Sequence, residues 1–133
     1  MNRLLIVENQ PNDQRIAAEL ARSMGFSVVD VRASVLAAKG LLENALEGDA
    51  PLPDAMILEL DLGFESGFEF LRFWHSHPRL FSIPLIVWTA LGEDQREMCS
   101  FFSVDAFIRK SEEIGLLRQA LDGHVVARTG SAL

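Results

Sequence analysis

One short stretch near the middle of the chain most constrains the fold. Residues Ala55–Leu58 form an unbroken apolar run that is too short for a helix and is preceded by two prolines. Such a run is typical of a strand that is covered on both faces within a parallel sheet. It leads directly into two carboxylates, Glu59 and Asp61. Because open parallel sheets bind ligands at the carboxyl ends of their strands, these acids lie where such folds carry out their chemistry.

Three further apolar runs have the same character and lie at 4–7, 85–88 and 106–108. The stretch 26–31 is also predicted to be a strand, because Phe26, Val28, Val29 and Val31 are apolar. Segments with helical spacing separate them: after Pro11, for example, Ile16 and Leu20 recur at that spacing, and Gly25 then ends the helix. Five strands alternating with five helices predict an α/β fold of the flavodoxin-like, doubly wound type. The predicted five-stranded parallel sheet has the strand order 2-1-3-4-5.

The chain of 133 residues is long enough to bury the core of one domain, and no linker or break in composition divides it. We therefore expect one domain over residues 1–128. The small, uncapped residues 129–133 are expected to form a flexible tail.

Charge and composition exclude several classes of partner. A formal net charge of −7 argues against a nucleic-acid or anionic membrane surface. The apolar run near the N-terminus is far shorter than a membrane span or a signal-peptide core. Cys99 is the only cysteine, so no intrachain disulfide is possible and a cytoplasmic location is expected.

The predicted strand order brings polar residues from four strand ends together. Glu8 and Asn9 follow the first strand and should lie beside Glu59, while Thr89 and Lys110 end the fourth and fifth strands on the other side. With these motifs in this order, the chain resembles the receiver domain of bacterial two-component response regulators over nearly its whole length.

The resemblance implies a role for each of these positions. In the family the first strand ends in an acidic pair, here Glu8 and Asn9, and the third strand ends in the aspartate that accepts a phosphoryl group, here Glu59. The fourth strand ends in Thr or Ser, matched by Thr89, and the fifth ends in a lysine, matched by Lys110.

The resemblance also implies how such a domain signals. Receivers act through protein partners, namely a sensor kinase or a downstream effector. The face formed by their fourth helix, fifth strand and fifth helix mediates dimerisation and output, so a homodimer through this face is one expectation. The aromatic residue before the lysine, here Phe107, reports the signalling state.

Three positions depart from the family pattern: Glu59 replaces the phosphoacceptor aspartate, Asn9 replaces the acid that binds Mg²⁺ directly, and Ser111 replaces a proline. Mg²⁺ prefers oxygen ligands that include one or two carboxylates. Asn9 keeps an oxygen but loses a charge. We therefore expect no cofactor, or Mg²⁺ bound weakly by Glu8, Asn9, Glu59 and the backbone carbonyl of Asp61.

The extra methylene of Glu59 moves its carboxylate by ~1.5 Å, and displacements of ~1 Å can cost on the order of 100-fold in rate. The same extension brings the carboxylate toward Thr89 and Lys110. An ion pair with Lys110 would then fix one state without phosphate, with one negative charge instead of roughly two. The sequence thus predicts a stand-alone, phosphorylation-independent signalling module with no catalytic residue.

Two alternatives remain open at this stage. A phosphorylatable receiver could use Asp61 or Glu59 itself, with weak Mg²⁺ binding. A small-molecule binder of the flavodoxin type is the other alternative, but the loop at 8–13 has no glycine or Ser/Thr run that could surround a phosphate.

Overall fold

Five parallel strands form the central sheet of the computed structural model, which describes residues 3–129. These strands are β1 (Arg3–Val7), β2 (Val28–Arg32), β3 (Ala55–Leu58), β6 (Leu85–Thr89) and β7 (Ala106–Arg109). Two very short strands, β4 (Asp61–Leu62) and β5 (Glu65–Ser66), pair antiparallel in a separate hairpin. The helices are α1 (Pro11–Ser23), α2 (Val35–Leu46), α3 (Gly67–Ser76), α4 (Pro78–Phe81), α5 (Gln95–Ser100) and α6 (Ile114–Thr129).

The order of the central strands is β2-β1-β3-β6-β7. Counted along the chain without the hairpin, this is the order 2-1-3-4-5, so the predicted fold class is confirmed. All four neighbouring pairs in this sheet are parallel. Strand β3 therefore lies at the centre, between β1 and β6, and its carboxyl end is surrounded by the ends of the other strands.

The sheet is covered on both faces, as expected from the apolar runs of β1, β3, β6 and β7, whereas the edge strand β2 is half-buried along its length. On one face, buried side chains of α2, α3, α4 and α5 pack together, including Leu42, Trp74 and Leu80. On the other face, α1 and α6 contribute a second buried cluster that includes Ala17 and Leu121. Burial at about 25 cal/mol per Å² of apolar surface makes these two layers the main source of stability.

Two elements were not predicted from the sequence. Helix α4 has four residues and starts at Pro78, which is too short for helical periodicity to be visible. The β4–β5 hairpin occupies the loop after β3. The flexible tail expected at 129–133 lies outside the described residues, except for Thr129, the last residue of α6.

The described part of the chain, residues 3–129, contains no helix with the length and apolarity needed to cross a bilayer.

Gly67 allows the chain to turn back against the end of β3. A Cβ atom at this position would lie 2.6 Å from the backbone oxygen of Glu59 and 2.7 Å from the Cα of Leu60. The Gly67 amide donates a hydrogen bond to the Leu60 carbonyl at 2.8 Å, which fixes the close approach. Because both obstructing atoms belong to the backbone, no side-chain rotation can make room.

We predict that Gly67→Ala lowers the free energy of unfolding by about 1–3 kcal/mol, the usual cost of overpacking. The matched control is Gly40→Ala in α2, where an added Cβ meets nothing within 4 Å and where alanine favours the helix. Urea denaturation of both variants measures the difference. Equal stability of the two variants would contradict the close packing at the end of β3.

Candidate functional site

The ammonium group of Lys110 lies at the carboxyl edge of the sheet in contact with three carboxylates. Its Nζ is 2.7 Å from Glu8 Oε1, 2.8 Å from Asp13 Oδ2 and 2.9 Å from Glu59 Oε1. An ammonium has three N–H donors, so these three contacts use all of them. We refer to Lys110, Glu8, Asp13 and Glu59 as the Lys110 cluster.

The sheet register explains why these side chains meet. Val7 at the end of β1 pairs with Leu58 at the end of β3, so Glu8 and Glu59 leave the sheet side by side. The Lys110 amide donates to the Thr89 carbonyl at 2.8 Å, which places the lysine beside the end of β6. The cluster therefore follows from parallel strands that end at the same level.

The carboxylate of Glu59 accepts hydrogen bonds on both oxygens. Oε2 accepts from the Thr89 hydroxyl and from the Asp61 amide at 3.1 Å. Oε1 accepts from the Ala90 amide at 3.0 Å and from Lys110 at 2.9 Å. With 2% of its surface exposed, Glu59 thus has four donors on a carboxylate that offers about four acceptor positions.

The direction of the Thr89 hydroxyl is fixed by a second contact. Its oxygen accepts a hydrogen bond from the Leu91 amide at 3.0 Å. The hydroxyl proton is therefore free to point at Glu59, and the side chain is fully buried in this orientation. Thr89 acts as a donor between β3 and β6.

Burial and pairing shift the pKa values in this site. Burial tends to lower the pKa of Lys110, but the hydrogen bonds that its ammonium donates to Asp13, Glu8 and Glu59 outweigh this effect, so its pKa lies above the ordinary value. Burial raises the pKa of Glu8, against the opposing effect of its hydrogen bond with Lys110. The lysine is therefore charged throughout the physiological pH range.

The remaining predicted site residues lie around this cluster. Asn9 is at its edge, and its buried Oδ1 has no hydrogen-bond partner among residues 3–129. Asp61 is exposed: its carboxylate accepts from the Gly63 amide at 3.3 Å, and only its backbone amide reaches Glu59. Phe107 in β7 is 7% exposed, and the guanidinium carbon of Arg96 lies 4.7 Å from its ring centroid.

The donor set does not suit Mg²⁺ in this arrangement. Mg²⁺ requires nearly octahedral oxygen ligation at about 2.0–2.1 Å. Both oxygens of Glu59 accept protein hydrogen bonds, and Glu8 contacts Lys110 through Oε1 and the Gln10 amide through Oε2. The buried Asn9 Oδ1 has no hydrogen-bond partner among the described residues, but it carries no charge. Within the same residues, no group of three or more His, Cys, Asp or Glu side chains has a geometry suited to a metal ion.

Two contributors to the site, Asp13 and Trp88, were not predicted from the sequence. Asp13 lies in the first turn of α1, and its carboxylate reaches Lys110. Trp88 was assigned only to a buried strand, yet its ring lies 4.9 Å from Lys110 Nζ. Asp13 could have been found from its place two residues after Pro11, because that turn begins at the same edge of the sheet.

Comparison of the sequence with models of protein families gives no match, and comparison with curated proteins gives none either. Solved structures do match. The phosphorylated cyanobacterial phytochrome response regulator RcpA is 27% identical, with a TM-score of 0.78, and the match covers 99% of this chain and 96% of that one.

Two further structures share the fold. The Mn²⁺-bound form of the response regulator Rcp1 is 24% identical over 95% of this chain and 93% of that one, with a TM-score of 0.77. The receiver domain of a signal-transduction histidine kinase from Syntrophus aciditrophicus is 20% identical over 96% of this chain and 92% of that one, with a TM-score of 0.80. The structural neighbours of this chain are response regulator receiver domains, which confirms the resemblance seen in the sequence.

We predict that Lys110→Met lowers the free energy of unfolding by about 3–5 kcal/mol at neutral pH. The variant keeps the apolar stem but leaves the carboxylates of the cluster without their cation, and removing one partner of a buried ion pair has a cost of this size. Chemical denaturation of wild type and variant provides the measurement.

The matched control is Lys39→Met, because Lys39 is the only other lysine of the chain. Its Nζ lies 5.4 Å from the centroid of the Phe73 ring, and a contact of this kind contributes about 0.5–1 kcal/mol at an exposed site. If both variants lost the same stability, the Lys110 cluster would have no special role in the fold.

Proposed function

We propose that this chain is a receiver-like signalling module of the two-component type that works without phosphorylation and acts through protein contacts. The observation that carries the proposal is the complete set of donors on Glu59, namely the Thr89 hydroxyl, the Ala90 and Asp61 amides, and Lys110. The resemblance to receivers predicts a phosphoryl group near Thr89 and Lys110. The Glu59 carboxylate lies in that region.

The geometry also makes Glu59 a poor phosphoryl acceptor. Phosphoryl transfer depends mainly on an accepting oxygen that is in line with the donor and on neutralisation of charge. Both Glu59 oxygens already accept hydrogen bonds and the side chain is 2% exposed. A donor would have to displace Thr89 or Lys110 before it could approach.

The positions of Thr89 and Phe107 support a single fixed state. Thr89 is drawn against Glu59, and Phe107 is buried beneath the guanidinium of Arg96. In receivers the aromatic residue at the position of Phe107 reports the state. Glu59 carries one negative charge whereas a phosphoryl group carries about 1.5–2, so the fixed state is a partial mimic of the phosphorylated one.

Mg²⁺ binds weakly or not at all under this proposal. Glu8, Asn9, Glu59 and the Asp61 carbonyl are the candidate ligands, and a metal would contribute neutralisation of the carboxylate charge. Glu8 and Glu59 already receive that neutralisation from Lys110.

The output is assigned to protein partners rather than to a reaction, and we propose no enzymatic activity. The candidate partners are a sensor kinase and a downstream effector. An effector or a second copy of the chain would bind the face formed by α5, β7 and α6. Four exposed apolar side chains lie in or next to the two helices of this face, namely Met98, Phe101, Ile114 and Leu116.

The single cysteine, Cys99, is buried, and burial raises its pKa to about 11. A buried, unpaired thiol suits the reducing cytoplasm.

A phosphorylatable receiver is the competing function, and the exposure of Asp61 is the observation in its favour. Its carboxylate contacts the Gly63 amide, however, and not the donors around Thr89 and Lys110. Transfer to Asp61 would therefore lack the charge neutralisation that the reaction needs.

We predict that wild type incubated with acetyl phosphate and Mg²⁺ shows no phosphoryl adduct by intact-protein mass spectrometry. The matched control is the double variant Asn9→Asp with Glu59→Asp. It restores the acids that the resemblance places at these positions, and we expect it to acquire one adduct.

A stoichiometric adduct on wild type would contradict phosphorylation independence, and peptide mapping would then assign it to Glu59 or Asp61. Failure of the double variant to react, with its fold intact by circular dichroism, would show that the two departures do not explain the lost acceptor function.

A further inference from the structure

Asp13 occupies a place in the site that neither the sequence nor the resemblance to receivers assigns. It belongs to the first turn of α1, and its Oδ2 lies 2.8 Å from Lys110 Nζ. The two residues are separated by 97 positions in the chain. The contact therefore joins the start of a helix that covers the sheet to the end of β7.

We propose that Asp13 is the positioning residue that keeps the Lys110 ammonium at the centre of the cluster, in contact with Glu59. The inference rests on the proposed function, because it concerns the ion pair that fixes the unphosphorylated state. It deepens that function by naming which residue outside the strand ends controls it.

The geometry of an ammonium supports this role. Its three donors point in three directions, and here each one meets a different carboxylate. Glu8 and Glu59 directly follow the adjacent strands β1 and β3 and attract the amine from the sheet side. Asp13 attracts it from α1, and without that contact one donor would turn toward water. The Trp88 ring lies 4.9 Å from Nζ and limits where else the amine can move.

The contact between Asp13 and Lys110 is best understood together with the replacement of an acid by Asn9. Asn9 has a neutral amide at the position where the resemblance predicts an acid that binds Mg²⁺. This edge of the sheet therefore has one carboxylate fewer at Asn9, but it gains the carboxylate of Asp13. Its carboxylate contacts an ammonium. The cation at the centre of this site is thus part of the chain.

A simpler role for Asp13 is stabilisation of α1, since an acid in the first turn favours the helix dipole. The two roles differ in what happens to Lys110. A helix-dipole acid can be moved within the first turn without loss, whereas a positioning acid must face Lys110.

The experiment uses the full chain with ¹⁵N-labelled lysine and ¹³C-labelled carboxyl groups. Only Lys39 and Lys110 give lysine ammonium signals, and Lys39 serves as the internal control. In wild type we expect a through-hydrogen-bond coupling from Lys110 Nζ to the carboxyl carbon of Asp13. Its absence would overturn the proposal without any variant.

Asp13→Ala tests the consequence for Glu59. Loss of a charge-assisted hydrogen bond should speed the exchange of the Lys110 ammonium protons with water at least about tenfold. It should also weaken the corresponding coupling from Lys110 Nζ to the carboxyl carbon of Glu59. The double variant Asn12→Asp with Asp13→Ala returns an acid to the first turn on a different side of the helix, so it should recover stability without restoring the Lys110 signal.

An unchanged Lys110 signal in Asp13→Ala would overturn the proposal, as would its restoration in the double variant. These outcomes are separate from failure of the proposed function, which a phosphoryl adduct on wild type would show by itself.

Discussion

The contact between one ammonium and three carboxylates is the interaction on which the rest of this structure depends. Glu8 and Glu59 directly follow β1 and β3, Asp13 belongs to α1, and Lys110 is the cation that the three share. Without it, the carboxylates of the buried residues Glu8 and Glu59 would face each other, and repulsion between buried charges is much stronger than in solution. A shared cation is needed because the parallel strands end at the same level and bring these carboxylates together. Lys110, at the end of β7, supplies this cation.

The length of the Glu59 side chain determines what this arrangement can do. Its carboxylate reaches the Thr89 hydroxyl, the Ala90 amide and Lys110 together. Under the proposed function, these are the donors that would otherwise bind a phosphoryl group. The chain thus has the fold of a receiver, and the contacts between Lys110 and the carboxylates hold the site at the carboxyl edge of the sheet together. A phosphorylation switch needs two states of comparable free energy, and a permanent occupant of the pocket favours one of them.

Much of this could be predicted from the sequence because buried parallel strands are continuous apolar runs, so the residue after each run is at the sheet edge. Glu8, Glu59, Thr89 and Lys110 were found in this way. Asp13 was not, because the sequence pattern places it only in the first turn of α1 at this edge, and its contact with Lys110 depends also on how α1 packs. The Ala90 and Asp61 donors are backbone amides, which every residue other than proline has, so residue type gives no signal. Helix α4 was missed because four residues do not complete two turns.

The most direct test of the central claim is NMR relaxation dispersion of the Thr89, Ala90 and Phe107 amides, since receiver-type transitions occur on the microsecond-to-millisecond scale that it detects. If Glu59 fixes one state, these amides show flat dispersion profiles in the absence of phosphate and metal. Concerted exchange of all three amides between two populated states in wild type would contradict the account.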